Sequence, residues 1–350
     1  MKDIVKRITT SAIAVLIGVS AIFTVCASQL GDVNSDSSIN GKDVLALRKY
    51  IVGLDSNINE LSADVNSDGN INGKDVLMLR KYIVKLIDSL GDQQEDVIVP
   101  DNELTATVEL SGTAASFNGE NVTINGSVVT ITGPGKYILN GTLSDGQIIV
   151  NDTAKAEKVY LYLNGVEVNC SNGSPLFVDK ADEVVLKPVK DTVNVFSDSA
   201  DDTSDDTNAC IYSDDDLTIK GEGILQVIAN KNNGITSEND LDIKAGTVIV
   251  KAKKNAIKGE DSIEIFDGAI INIECEKDAF KVENAVEEDK GYFTMTGGDI
   301  TVVAGDDLIQ AYRSITVTGG TVKYKVEGKK TKLDMADGIE TINDECFVKL

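Results

Sequence analysis

Histidine and tryptophan are absent from this chain of 350 residues. Without His there is no imidazole acid or base, no His-ligated zinc and no Ser-His triad. Without Trp there is no indole platform on which a pyranose ring could stack. Basic residues are scarce as well: 33 Lys and Arg stand against 57 Asp and Glu, a net charge of -24. Such a chain repels nucleic acid and anionic membranes and attracts cations, so no nucleic-acid partner is expected.

Long apolar runs are missing too, with one exception. Ile13 to Val25 follows Lys2, Lys6 and Arg7 and precedes Cys26 and Ala27. This reads as a secretory signal peptide over 1–27, with cleavage after Ala27 and export of the mature chain. A lipoprotein anchor on Cys26 is the alternative, against which Val25 stands where a small residue is wanted. The run is too short to span a bilayer, so no membrane span is expected. Cys170, Cys210, Cys275 and Cys346 lie far apart with no knot-like spacing, and Cys210 and Cys275 fall at apolar strand positions, where they read as small buried hydrophobes.

Between Gly31 and Leu86 the chain repeats itself at an offset of 32 residues, and each copy runs into a helical pattern. Each copy places oxygen ligands at loop positions 1, 3, 5, 9 and 12 and a backbone carbonyl at 7, the arrangement by which an EF-hand-type loop wraps calcium. The first set is Asp32, Asn34, Asp36, Asn40 and Asp43, with the carbonyl of Ser38. The second is Asp64, Asn66, Asp68, Asn72 and Asp75, with the carbonyl of Asn70. Ile39 and Ile71, at position 8, should pack inward. Asp/Asn-rich turns form without metal, but two loops in register, each leading into a helix, favour Ca2+.

Residues 29–90 resemble the type I dockerins, which plug proteins into the cohesin modules of cellulosomal scaffoldins. The resemblance implies a cohesin partner contacted through Gly41, Lys42, Arg48 and Lys49 and, in the second copy, Gly73, Lys74, Arg80 and Lys81. Because the two surfaces nearly match, docking in two orientations is implied. Ser37 departs from the Gly usual at loop position 6, which should weaken the first site.

Residues 91–103 are rich in acids, include Pro100 and lack periodicity, and read as a linker. From 104 to 350 short alternating strands take over, punctuated by Gly and Asn. Asn208, Asn233, Asn255, Asp278 and Asp307 mark one recurring position, and Gly223, Gly246, Gly268, Gly298 and Gly320 a second, mostly at intervals of 22 to 25 residues. A repeat of that length made only of strands and turns is one coil of a parallel β-helix. Apolar triplets after each glycine, from Leu225, Val227 and Ala229 to Val322, Tyr324 and Val326, should form inward columns about 4.8 Å apart. The fold class is therefore mainly β: a right-handed parallel β-helix with a small α-helical dockerin, built of paired EF-hand-like calcium loops, at its N-terminus.

Stacking of coils would also align polar residues outside. Asp214, Glu238 and Glu260 make one column and Asp215, Asn239 and Asp261 another. The Asn column is either a hydrogen-bonded ladder or, with its two Asp members, a cation-binding edge. Asp278, Glu283, Glu287, Glu288, Asp289 and Asp307 are candidate calcium ligands on the β-helix. Lys258 and Lys281, within a strip of lysines on neighbouring coils, either hold uronate carboxylates or balance the surrounding acids.

Gly135 to Leu143, Val159 to Val166, Asp214 to Gly223 and Lys290 to Gly298 resemble the pectin- and cellulose-binding parallel β-helix family, whose fold is similar to polysaccharide lyases. The resemblance implies a secreted, cellulosome-associated protein that binds plant cell-wall polysaccharide, acidic pectin such as polygalacturonate or cellulose, with calcium and without catalysis. The alternative is a calcium-dependent pectate lyase in which Lys258 or Lys281 serves as the base, which requires a lowered lysine pKa.

Overall fold

The computed structural model describes residues 30–51, 53–54, 57–65, 71, 73–83, 90, 103–204, 207–327, 332–336 and 338–350. The segment 1–27 expected to be a signal peptide, and residues 91–102 of the expected linker, lie outside them. The chain divides into two compact units, Met1–Glu95 and Asp96–Leu350.

In the first unit the duplicated sequence folds into helices Gly41–Ile51 and Gly73–Ile83, with a short helix Glu60–Ala63 between them. Each long helix carries an acid in its first turn, Asp43 or Asp75, where the helix dipole favours negative charge. The core is made of equivalent residues from the two copies: Val33 with Val65 and Leu47 with Leu79, all fully buried, together with Ala63. Ile39 and Ile71 pack against it as the loop pattern predicts. A core this small stabilises little, so a metal that joins loop to helix supplies much of the folding free energy.

The second unit is a parallel β-solenoid of about 8 turns. Among its described residues one hydrogen-bonded sheet has 15 strands and a second has 10. A representative coil runs through Asn233–Ser237 in the second sheet, turns, and continues as Asp240–Ala252 in the first. The register bears out the inward columns. Leu225 pairs with Val248, Val248 with Ile271, Ile271 with Ile300 and Ile300 with Val322. Cys275 stands between Ala252 and Ala304 in its column. Cys170, Cys210, Cys275 and Cys346 are free and buried, consistent with the reading of Cys210 and Cys275 as small hydrophobes. Stacking begins well before the visible repeat, at strands Gly135–Leu143 and Val159–Cys170. The antiparallel pairs Ala106–Gly112 with Ala114–Gly119, and Val122–Asn125 with Val128–Ile131, close that end of the solenoid.

The glycine column is offset by one residue in one coil. Gly246 pairs with Ala269, and Gly268 with Ala245, because the ladder shifts register where the long strands bend. At the bend, close approach between coils decides the residue. Gly320 has φ +83°, and a Cβ there would stand 2.4 Å from the carbonyl oxygen of Gly298 in the coil before it. Gly320→Ala is expected to lower β-solenoid stability by about 2 kcal/mol through backbone strain and this clash. A urea midpoint equal to that of the parent would show that the bend tolerates a side chain.

Candidate functional site

In the first loop the backbone turns its amides onto the acidic side chains. Asp32 accepts from Asp36 N at 3.0 Å and Ser37 N at 2.9 Å, and Asp43 accepts from Asn34 N at 3.1 Å and Asn40 N at 2.8 Å. Asp36 accepts from Ser38 N at 3.1 Å, and Asn34 Oδ1 and Asn40 Oδ1 are fixed by Asp36 N and Lys42 N. Asp43 is fully buried and Asp32 nearly so. Burying converging carboxylates is costly unless a cation joins them. The loop also carries a peripheral ion pair, Lys42 to Asp36 at 3.5 Å. The donor set of acid and amide oxygens therefore fits Ca2+. Ser37 takes φ +66°, the left-handed conformation for which glycine is suited. In the second loop Asp75 is buried and accepts from Val65 N at 3.0 Å. Asp64 is half-buried, and Asn66, Asp68, Asn70 and Asn72 lie outside the described residues.

Gly41, Lys42, Arg48 and Lys49 are all exposed, and Leu45 beside them is 54% exposed. Their helical spacing groups them on one side of helix Gly41–Ile51. Arg80 is exposed on the second helix, where Gly73, Lys74 and Lys81 also lie.

On the solenoid, the Asn column is a hydrogen-bonded ladder. Asn233 Nδ2 donates to Asn208 Oδ1 at 3.2 Å, Asn255 N to Asn233 Oδ1 at 3.1 Å, Asp278 N to Asn255 Oδ1 at 3.2 Å and Asp307 N to Asp278 Oδ1 at 3.1 Å. At its last coils the ladder changes chemistry. Carboxylate oxygens of Asp278, Asp306 and Asp307 lie within 4.8 Å of one another. Asp278 is buried, and burial, then the charges of Asp307 and Asp306, raise its pKa while Lys281 offsets them. This trio fits a hard cation, and Asp306 joins it unanticipated by the sequence pattern.

The other acids expected there go elsewhere. Glu283 pairs with Lys258 at 2.8 Å and with Lys281 at 2.6 Å. Glu287 pairs with Lys290 at 2.9 Å, and Glu288 and Asp289 are exposed. Lys258 and Lys281 are register partners on adjacent coils. Burial would lower the Lys258 pKa, but the hydrogen bond and charge of Glu283, with Glu238 and Glu260 behind them, raise it overall. That direction opposes service as a base.

The expected columns Asp214–Glu238–Glu260 and Asp215–Asn239–Asp261 are present, linked coil to coil through backbone amides. Desolvation followed by neighbouring carboxylates raises the pKa of Asp214 and of Glu260, with Lys258 partly opposing the rise at Glu260. A second acid array escaped the sequence reading. Glu183, Asp216, Asp240, Asp242 and Glu264 line a cavity of about 150 Å³. Its signal was the outward position beside each inward Leu217, Leu241 and Ile263, visible only once the register is known. In the acid-rich loop before the repeats, Asp202 accepts from Gly173 N and Ser204 N and pairs with Lys231 at 3.3 Å, so this acid anchors the loop. Burial raises the pKa of Asp198 to about 6 despite backbone amides from Asn230 and Lys231.

Comparisons with known proteins agree with this architecture. Residues 30–84 match the dockerin type I domain, and residues 125–345 match a family described as carbohydrate-binding domain-containing protein. A carbohydrate-binding domain-containing protein of Acetivibrio thermocellus is 38% identical over 238 residues, 67% of this chain and 82% of the relative. The polysaccharide lyase-like protein from C. thermocellum, solved as a gadolinium derivative, superposes with TM-score 0.67 at 36% identity, covering 71% of this chain and all of the other. The chain belongs to the carbohydrate-binding domain-containing family. In this family member the binding domain is joined to a dockerin type I domain, and type I dockerins bind calcium and imply a cohesin partner and a cellulosomal location.

Two predictions follow from the local chemistry of this carbohydrate-binding protein. Ser37→Gly relieves a left-handed non-glycine residue and is expected to strengthen calcium binding at the first loop by about 1 kcal/mol, roughly fivefold, in titration calorimetry; unchanged affinity would mean the loop carries no strain there. The folded-state pKa of Asp198 stands above its ordinary value of 3.8. Its ionisation therefore opposes folding increasingly as pH rises from about 4 to about 6, and the loss is complete above that window. Asp198→Asn should remove up to about 3 kcal/mol of this loss. Urea unfolding at pH 4 and pH 7 checks it, the variant losing less stability between the two.

Proposed function

We propose that this is a secreted, non-catalytic cellulosomal protein that docks to a cohesin through its dockerin and binds acidic plant cell-wall polysaccharide, such as polygalacturonate, with the help of calcium. Cellulose is a second polymer within reach of the same reading. The observation that carries it is the meeting of two charges on adjoining coils: Lys281 stands in register with Lys258 and within electrostatic reach of Asp278, a member of the Asp278–Asp306–Asp307 cluster. Lysines attract uronate carboxylates directly, and a cation on the aspartates bridges acids of protein and glycan that would otherwise repel. The gadolinium derivative of the related structure supports hard-cation affinity in this fold. Export rests on the leader-like segment at 1–27.

A lyase reading draws on the likeness to a polysaccharide lyase-like protein. It is weakened by the raised pKa of Lys258, since proton abstraction beside a uronate carboxyl calls for a lysine that is neutral near working pH.

Incubation of the purified chain with polygalacturonate, with calcium or with chelator, tests both. The expected result is calcium-dependent retention on the polymer with no absorbance from unsaturated product. Asp306→Asn should abolish the calcium dependence of retention, and Lys281→Ala should weaken binding about tenfold, about 1.4 kcal/mol. Accumulation of unsaturated product would replace the binding reading by the lyase one.

A further inference from the structure

The second sheet carries one residue per coil in a row at a common register position, half-buried at Phe177, Tyr212, Lys281 and Gln310 and buried at Thr236 and Lys258. Phe177 pairs in register with Tyr212, Tyr212 with Thr236, Thr236 with Lys258, Lys258 with Lys281 and Lys281 with Gln310. Successive members are about 4.8 Å apart, so the row runs for roughly 24 Å parallel to the solenoid axis. Its two ends differ in chemistry. At one end the rings of Phe177 and Tyr212, both half-buried, lie with centroids 5.9 Å apart. Thr236 is fully buried, so the row dips between this pair and the lysines. At the other end Lys281 and Gln310, with Glu283, Tyr312 and Asp334, line a cavity of about 430 Å³, room for sugar rings.

The walls differ as well. Asp214 and Glu238 flank the aromatic end closely enough to raise the pKa of the Tyr212 hydroxyl, after its burial. Asp179, Glu238 and Asp215 repel the Asp214 carboxylate in turn, adding to desolvation. A uronate carboxylate over Tyr212 would meet this negative field, whereas an uncharged ring packs on the two rings, tilted 43° to each other, without that repulsion. At Lys281 the field is less negative, because Lys258 and Lys281 together offset Glu283 and Glu260, and a carboxylate placed there can share the Lys281 ammonium with Glu283.

We propose that this row is the glycan track, and that it selects a linear pyranoside chain of mixed charge: neutral or esterified rings on Phe177–Tyr212 and free uronate carboxylates at Lys258–Lys281. The proposal rests on the polysaccharide-binding reading above and specifies its ligand as a partly esterified rather than fully de-esterified uronan.

The test compares oligogalacturonides of equal length, either fully de-esterified or partly methyl-esterified, by calorimetry with the full chain at one fixed calcium concentration. Partly esterified oligomers are expected to bind about tenfold more tightly. The double variant Phe177→Ala, Tyr212→Ala should lose that preference, its affinity for the partly esterified oligomer falling to that for the de-esterified one, and Tyr212→Phe should keep it, since the ring remains. Retained binding of the de-esterified oligomer by the double variant also reports an intact fold; for a double variant that unfolds, Tyr212→Phe and Gln310→Ala carry the test, the latter losing affinity for both ligands. Equal wild-type affinity for the two oligomers, or a preference that survives loss of both rings, overturns the track while leaving polysaccharide binding standing. Binding of neither oligomer by the wild type overturns both.

Discussion

Everything on the outer surface of the solenoid depends on the hydrogen-bonded register between successive coils. Leu225, Val248, Ile271, Ile300 and Val322 stack because each backbone strand bonds to the next at a fixed offset. Side chains alternate along a strand, so the register that brings apolar residues into one inward column also brings their neighbours into outward rows. A glycan track, an amide ladder and a cation cluster can all be written on such a surface without altering the core. The ladder from Asn208 to Asp307 illustrates the economy of the device. Its amides hold coils together, and replacing the last two by aspartate turns a structural element into a cation-seeking one.

Stacking also sets the electrostatic problem. Acids repeated at one position of every coil are forced to within a strand spacing of each other, and burial removes the water that would screen them. Asp214, Asp216, Glu260, Glu264 and Asp278 accordingly have raised pKa values, each led by desolvation. The protein relieves the repulsion in two ways. Lysines are threaded between some acids, as Lys258 and Lys281 are around Glu283 and Lys290 is between Asp261 and Glu287. At Asp278, Asp306 and Asp307 the carboxylate oxygens instead converge, an arrangement suited to a divalent cation.

What could be read in the sequence was whatever repeats. The duplicated loops, the paired core residues Val33/Val65 and Leu47/Leu79, the inward triplets and the Asn column all recur at near-constant spacing, and spacing survives in one dimension. Features that depend on where the ladder slips did not survive. Gly268 was aligned with Gly246, although a register shift at the strand bend pairs Gly246 with Ala269. Glu283 was grouped with Asp278 by proximity in sequence, yet it faces the lysines of its own and the preceding coil. Glu183 and the ring pair Phe177–Tyr212 come from coils outside the regular spacing, so no periodicity announced them, whereas Asp216, Asp240 and Glu264 keep the spacing but stand beside inward residues on a face the pattern did not mark. The absence of Trp excludes an indole platform, but the fold brings two smaller rings into register on adjacent coils, tilted 43° to each other.

The two units bring candidate cation ligands together by opposite routes. In the dockerin loop the ligands are local: Asp32, Asn34, Asp36 and Asp43 fall within twelve residues, and backbone amides aim them before any long-range contact is made. Because the core around Val33 and Leu47 is small, metal and fold depend on one another there. In the solenoid Asp278 and Asp307 come from successive coils, and the carboxylates meet only after a large core has stacked. A cation held there would contribute little to folding of that unit and would be free to act on what the surface binds. Calcium would then be structural in the module that docks and ligand-bridging in the module that holds the polymer, so that partial depletion of calcium would release polysaccharide from the solenoid while leaving the solenoid folded.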